Sequence, residues 1–336
     1  MSRVEAGAPG RPRRTRRKRV LDVLRIGFLV VVLVAVGAAL WSNWEEVRGD
    51  LGRIGPVTLL AATALAMLSP FVTVLGWRVL LADLGSRLHI APASGVFFVG
   101  QLGKYLPGSV WSVVVQTDMA HRLGVPRRRT AVVGLLTIAL SALTGMILGL
   151  PALPVLLTRG DAVVPWWSLV LIIGVLGVLL WPPVLNRGIR TMLRLLRRDP
   201  LEHDLTHAAV GLSSLWFASS WLVGGLSVWV MARNLAPDDA DASRLLLVAV
   251  SGYLLAAGIG MFSIVVPAGV GVRDGVMILL LATSMSVSAA TAVVVVARFL
   301  TVLADAVWAA VGWLWAKTHD LLPSPAGPGA APQGDR

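Results

Sequence analysis

Gly103-Lys104-Tyr105-Leu106-Pro107-Gly108 and Pro267-Ala268-Gly269-Val270-Gly271-Val272-Arg273-Asp274-Gly275 interrupt two apolar stretches at matching places in the two halves of the chain. Glycine and proline inside a membrane helix free backbone polar groups that lipid cannot satisfy. Such breaks survive where they are buried in protein or line a wet cavity. Both breaks also carry charge. Interrupted segments in corresponding positions of two halves point to an inverted repeat with a binding site where the breaks meet, the arrangement of a transporter.

The composition agrees with a membrane setting. Of 336 residues, 56% are hydrophobic and 14% charged, which is too apolar for an ordinary soluble domain. The net charge of +12 does not indicate nucleic acid, because the basic residues lie in short loops and in the tail Arg11-Pro12-Arg13-Arg14-Thr15-Arg16-Arg17-Lys18-Arg19, as the positive-inside rule describes. Such a tail also suits an anionic membrane surface. The basic lead before Ile26 is long and no small-residue cleavage site follows, so the first apolar run reads as a retained helix and not a secretory signal. With no cysteine, disulfides, thiolate metal sites and cysteine nucleophiles are excluded.

Continuous apolar runs predict six crossings: Ile26–Trp41, Pro56–Trp77, Thr130–Leu157, Pro165–Leu185, Ala208–Met231 and Ala289–Ala316. The segments Ala93–Val115 and Leu245–Leu281 are the broken ones. With the basic tail inside, the acidic stretch Asn43–Gly55 is outside. Both flanks of the first break, Arg78–His89 and His121–Arg129, are basic, so that segment leaves and returns on the cytoplasmic side. Arg187, Arg190, Arg194, Arg197 and Arg198 place Asn186–His207 inside. Asp238, Asp239 and Asp241 place Arg233–Ser243 outside, so the second break returns to the outer side if Lys317 is to end in the cytoplasm. The expected fold is an all-α polytopic membrane protein: about six full crossings plus two re-entrant broken helices in an inverted-topology repeat. The expected division is a basic cytoplasmic tail over 1–24, repeat one over 25–160 with its re-entrant segment 93–115, repeat two over 161–318 with its re-entrant segment 245–281, and a disordered Pro/Gly/Ala tail over 319–336. The expected location is the plasma membrane with both termini cytoplasmic.

The candidate site gathers the charges of these segments. Lys104, beside Tyr105 and the helix-breaking Pro107-Gly108, presents an ammonium suited to phosphate near backbone N–H groups freed by the break. The alternative is a lysine snorkelling to the inner interface. Arg273 and Asp274 follow Pro267, Gly269 and Gly271, which permit close approach. Either Arg273 binds phosphate with Asp274 holding it, or the pair is a structural interfacial turn. The glycine spacing is no dinucleotide loop, since no strand precedes it. Arg298 and Asp305 lie deep in the last crossing, seven residues apart and so on one helix face. Ionisable groups at that depth must face the bundle interior, as pathway residues or as a structural pair.

Other polar residues give weaker signals. Asp118, Arg122, Gln101 and Gln116 flank the first break, either lining an inner mouth or ending the helix at the surface. His203 and His207, with Asp204 between them, have helical spacing but no third ligand, so no metal is expected. Gly145 and Gly149 form a GxxxG that suits close helix packing. Tryptophans near segment ends, such as Trp41, Trp77, Trp166 and Trp167, suggest interfacial belts.

The run Gly103 to Trp111, the later Leu123-Gly124-Val125-Pro126, the run Val266 to Gly275 and Arg298 together resemble the flippase-like transmembrane domain of lysylphosphatidylglycerol synthases and its stand-alone relatives. The resemblance spans nearly the whole chain after the tail. It implies a bundle that moves a lipid headgroup between leaflets, with Lys104, Arg273 and Arg298 at the family's charged motif positions. Asp274 stands where the family pattern often has Glu. Bifunctional members continue into a soluble aminoacyl-transferase domain, whereas only a short tail follows here, so the resemblance does not carry lipid aminoacylation to this chain.

The leading reading is a lipid flippase not driven by ATP, since no P-loop is present, with an anionic or modified phospholipid or a polyprenyl-phosphate-linked lipid as cargo. It needs no cofactor, and no catalytic residue is assigned. One alternative is a membrane-embedded lipid-linked transferase, which needs a base and usually a metal-binding carboxylate cluster. Only Asp118, Asp274 and Asp305 are deep candidates for it. Another is an accessory subunit anchoring a lipid-modifying or glycosyltransferase synthase.

Overall fold

The computed structural model describes residues 49, 52–105, 111–157, 165–262 and 271–319. The expected first crossing Ile26–Trp41, the tail 1–24 and residues 320–336 lie outside the described residues. Among the described residues all regular structure is helical. Five helices are long and apolar enough to cross a membrane, or six if one bent pair counts as a span. This is an all-α polytopic membrane protein.

Two long helices form the spine. Helix α1 (Pro56–Asp83) opens with proline at its first turn, where a missing N–H costs nothing. Its antiparallel partner α8 (His207–Leu235) is capped by the Thr206 hydroxyl, which accepts from the Ala209 N–H at 3.1 Å. Along their length the Ser227 hydroxyl donates to the Ala62 carbonyl at 2.9 Å, and the hydroxyls of Ser69 and Ser220 donate to each other's carbonyls at 2.9 and 2.8 Å. Ser69 precedes Pro70, a proline inside α1, so hydroxyls and carbonyls pair around a helix that proline locally weakens.

The first broken segment is a tight hairpin. Helix α2 (Ile90–Gln101) runs into a 3-10 turn (Leu102–Tyr105), and α3 (Trp111–Arg122) returns alongside. Gly100 faces Gln116 and Gly103 faces Ser112, an antiparallel register. Each arm has 12 residues, about 18 Å, well short of a hydrocarbon core of roughly 30 Å.

The second broken segment is built differently. Its first arm, α9 (Ala242–Phe262), has 21 residues, about 31 Å, enough to span by itself, whereas α10 (Val272–Leu281) has only 10. The two broken segments, expected over 93–115 and 245–281, are thus unequal in the length of their first arms. The largely apolar run after Asp241 sustains this helix to Phe262.

Two other expected crossings also break. The run Thr130–Leu157 divides at Pro151 into α4 (Arg127–Gly149) and the short α5 (Ala152–Leu157). The run Pro165–Leu185 divides into α6 (Trp166–Leu180) and α7 (Pro182–Leu195), bent by 57°. Trp181 before Pro182 takes ψ 126°, the extended state that a following proline imposes, and Pro182 then starts a new helix. The stretch Asn186–His207 is thus partly an amphipathic helix and not only a loop. Its conformation is fixed by Asn186, whose side chain donates to the Leu205 carbonyl and accepts from the Leu205 N–H.

The last helix, α11 (Val287–Thr318), packs against α2, with Phe98 stacked on Trp308 at 4.8 Å and Gly312 beside Gly95. In the other half α9 packs against α4, where Gly149 approaches the Leu255 backbone and Gly258 approaches Met146. A Cβ on Gly149 would sit 2.5 Å from the Leu255 nitrogen, so only glycine allows this contact. Gly145 instead faces Trp221 of α8, so the two glycines of the GxxxG serve different neighbours.

The belt reading fails for Trp77, which is fully buried and donates from Nε1 to Gln116 Oε1 at 3.2 Å. Trp221 and Trp308 likewise donate to the carbonyls of Ser141 and Met67. An indole withdrawn from water needs a partner for its N–H, and each of the three has one. Trp167 is exposed, as a belt residue would be.

Candidate functional site

Lys104 lies in the 3-10 turn that ends the first arm of the hairpin. Its neighbour Gly103 touches the backbone of Trp111 and Ser112 so closely that any Cβ would overlap it, which locks the arm against the start of α3. Held there, the Lys104 ammonium meets Asp305 of α11, with Nζ 2.7 Å from Oδ2. The Asp305 side chain is 4% exposed and that of Lys104 34%. One partner is thus sealed in the bundle while the other reaches open space. A buried carboxylate is tolerable only with such compensation.

The second break carries Arg273 at the start of α10. At the start of α10, Gly271 adopts φ +83°, a left-handed conformation natural to glycine, and its N–H donates to Asp274 Oδ2 at 3.1 Å. Asp274 therefore caps its own helix and acts on Arg273 only through space. Arg273 instead lies over the ring of Tyr253 in α9, 4.6 Å from its centroid, and also feels the charge of Asp305. Arg298 is half-buried on α11, two turns before Asp305.

The structure thus pairs Lys104 with Asp305 across elements far apart in sequence and seats Arg273 on Tyr253, where the charge of Asp305 still reaches it. Pro107, Gly108, Pro267 and Gly269 lie outside the described residues, as does the side chain of Tyr105, whose backbone closes the 3-10 turn. Tyr253 was missed by sequence reasoning. A signal existed: the chain has only two tyrosines, and Tyr105 and Tyr253 both fall in broken segments. Lys104, Arg273 and Asp305 together carry one net positive charge, which suits a monoanion.

The inner-mouth candidates separate. Gln116 is buried on Trp77, while Asp118 is on the surface and pairs with Arg127 at 2.9 Å and Arg122 at 3.7 Å. Gln101 is half-buried at the end of α2. Among the described residues no group of three His, Asp or Glu side chains converges, and Asp204, between His203 and His207, pairs with Arg190 at 3.0 Å.

A separate polar clamp ties the α7–α8 loop to the hairpin side. Glu202 binds Arg128 and Arg129, and Arg129 also donates to the Gly85 carbonyl and the Ser86 hydroxyl. Asp83 accepts from the Thr206 N–H and hydroxyl, each at 2.9 Å. Hydrogen bonding by the Glu202 backbone amide, and then by Arg129 and Arg128, holds the Glu202 carboxyl down to about 2. The clamp also offsets Arg128 and Arg129 in the first turn of α4, where the helix dipole disfavours cations.

The family model for the lysylphosphatidylglycerol synthase transmembrane region matches residues 26–309. The chain belongs to this family. The lysylphosphatidylglycerol synthase transmembrane match takes in both broken segments and all of Lys104, Arg273, Arg298 and Asp305, ending inside α11. No individual curated protein matches the chain.

Proposed function

We propose that this protein moves a phosphate-bearing lipid, an anionic or modified phospholipid or a polyprenyl-phosphate-linked lipid, between membrane leaflets, without a catalytic step. The observation that carries the reading is the 2.7 Å pair between half-open Lys104 and sealed Asp305, whose charge also reaches Arg273. A lipid phosphate entering from the open side competes with Asp305 for the ammonium, and Arg273 supplies a second donor in a place shielded from water. The acyl chains stay in the bilayer.

The helix pairings support an inverted repeat, with halves near 25–160 and 161–318. Helices α1 and α8 pair antiparallel, α2 packs on α11, and α9 packs on α4, so each half lends its first broken arm to the last helix of the other. Rocking one half against the other alternates access to a site at their junction. In this reading the first hairpin enters from the cytoplasmic side of the plasma membrane and both termini are cytoplasmic.

The test is leaflet exchange of fluorescent phospholipids and of a polyprenyl-phosphate analogue in liposomes containing the purified protein, beside Lys104→Ala and Arg273→Ala. Headgroup-dependent exchange lost in both variants supports the reading. Absence of exchange for every lipid with folded protein refutes it and favours an accessory role beside a synthase.

A further inference from the structure

We propose that α7 and the turn after it form a binding surface for an anionic phospholipid headgroup, separate from the Lys104–Asp305 site. The helix turns 57° away from α6, and it buries Pro182, Asn186, Ile189 and Leu193 against the bundle. Arg187, Arg190 and Arg194 follow one another at helical spacing on an adjacent face, with Arg197 and Arg198 just beyond, and all five are exposed. Arg190 pairs with Asp204, Asp199 lies 3.9 Å from Arg128, and Glu202 binds Arg128 and Arg129. The local carboxylates are thus engaged elsewhere. Among the described residues none pairs with Arg187, Arg194, Arg197 or Arg198.

The remaining face is apolar. Val184, Gly188, Thr191, Leu195 and Leu196 line a shallow depression of about 630 Å³ that Arg187 borders. Leu195 is 79% exposed. A basic stripe beside an outward apolar stripe on a helix bent from a membrane span is the pattern of an interfacial helix, with its leucines in the acyl boundary and its arginines among phosphates. Charge complementarity selects an anionic lipid over a zwitterionic one.

Backbone geometry adds an independent reason. The helix closes with Arg197 N–H donating to the Arg194 carbonyl at 3.0 Å and Arg198 N–H to the Leu193 carbonyl at 2.9 Å, the paired bonds of a Schellman cap. That cap puts Arg197 at φ +52°, the one non-glycine residue with positive φ among the described residues. Glycine fits this position best, so an arginine there sacrifices stability. Strain kept against an easy alternative points to a role for the side chain.

The experiment is thermal melting of the full chain in zwitterionic detergent, titrated with dioleoylphosphatidylglycerol or dioleoylphosphatidylcholine. The wild type should be stabilised by the anionic lipid only. Arg187→Gln/Arg194→Gln/Arg198→Gln should melt as the wild type without lipid, but bind the anionic lipid about a hundredfold more weakly, roughly fivefold per arginine. Arg197→Gly should melt higher without lipid yet bind about fivefold more weakly, and Arg197→Lys should keep the binding. Equal response to both lipids, no response to either, anionic-lipid affinity within twofold of wild type in the triple variant, or full affinity in Arg197→Gly would each overturn the proposal.

Discussion

Removing Lys104 should hurt this protein more than neutralising Asp305, although both changes break the same contact. At 2.7 Å the gross attraction is about 6 kcal/mol for an effective dielectric near 20, most of it offset by desolvating the carboxylate. Truncating one member of a buried pair costs about 3–5 kcal/mol because the other charge is left uncompensated. Here Lys104 is one-third exposed and Arg273 still acts on Asp305, so Lys104→Ala should cost about 2–3 kcal/mol. Asp305→Asn leaves an ammonium that water can reach, and should cost only about 1 kcal/mol. Combining the two removes the orphan carboxylate and should recover about 1–2 kcal/mol relative to Lys104→Ala alone. Melting midpoints in detergent at one fixed scan rate read this directly, and Lys104→Ala should fall by roughly 4–8 °C. The reasoning fails if Asp305→Asn is as damaging as Lys104→Ala, or if the double variant melts no higher than Lys104→Ala.

Gly149→Ala should destabilise by about 1–3 kcal/mol, because its Cβ meets the Leu255 backbone, whereas Gly174→Ala, with nothing within 4 Å, should stabilise by about 0.5–1 kcal/mol; melting curves of the two separate packing from propensity. Trp77→Phe should cost about 1–3 kcal/mol by leaving buried Gln116 Oε1 without its donor, and Trp77→Phe/Gln116→Leu should recover part of that loss in the same assay. The Glu202 clamp should be insensitive to pH above about 4.5 and open as pH falls through about 2, since its carboxyl is lowered from 4.5 in the folded state. Hydrogen exchange of residues 199–206, corrected for intrinsic rates, should show that loss, and Glu202→Gln should show weakened protection already at neutral pH.

Much of the architecture was readable in the chain because a bilayer imposes a one-dimensional rule. Apolar runs located α1, α4, α8 and α11, and the Gly/Pro motifs located both breaks, since lipid leaves the backbone no other option. Charge in the breaks marked Lys104 and Arg273 as candidates, and charge deep in the last crossing marked Asp305 as an interior group. Hydrophobicity is blind to what stops a helix short of its apolar run, so Pro151 and Pro182 divided two expected spans, and α9 proved long enough to cross alone.

Which groups meet was decided only by tertiary structure. The partner of Lys104 is 201 positions away, and nothing in the spacing separates Asp305 from Asp274, which caps its own helix instead. Trp77 looked like a belt residue by position and is a core donor because Gln116 on the returning hairpin arm faces it. Sequence by itself determined that charges as deep as Arg298 and Asp305 had to be sheltered from lipid, since that requirement is local to each segment. Their pairing required the fold, because it depends on close approaches such as Gly103 on Ser112 and Gly149 on Leu255 that set where one helix lies against another.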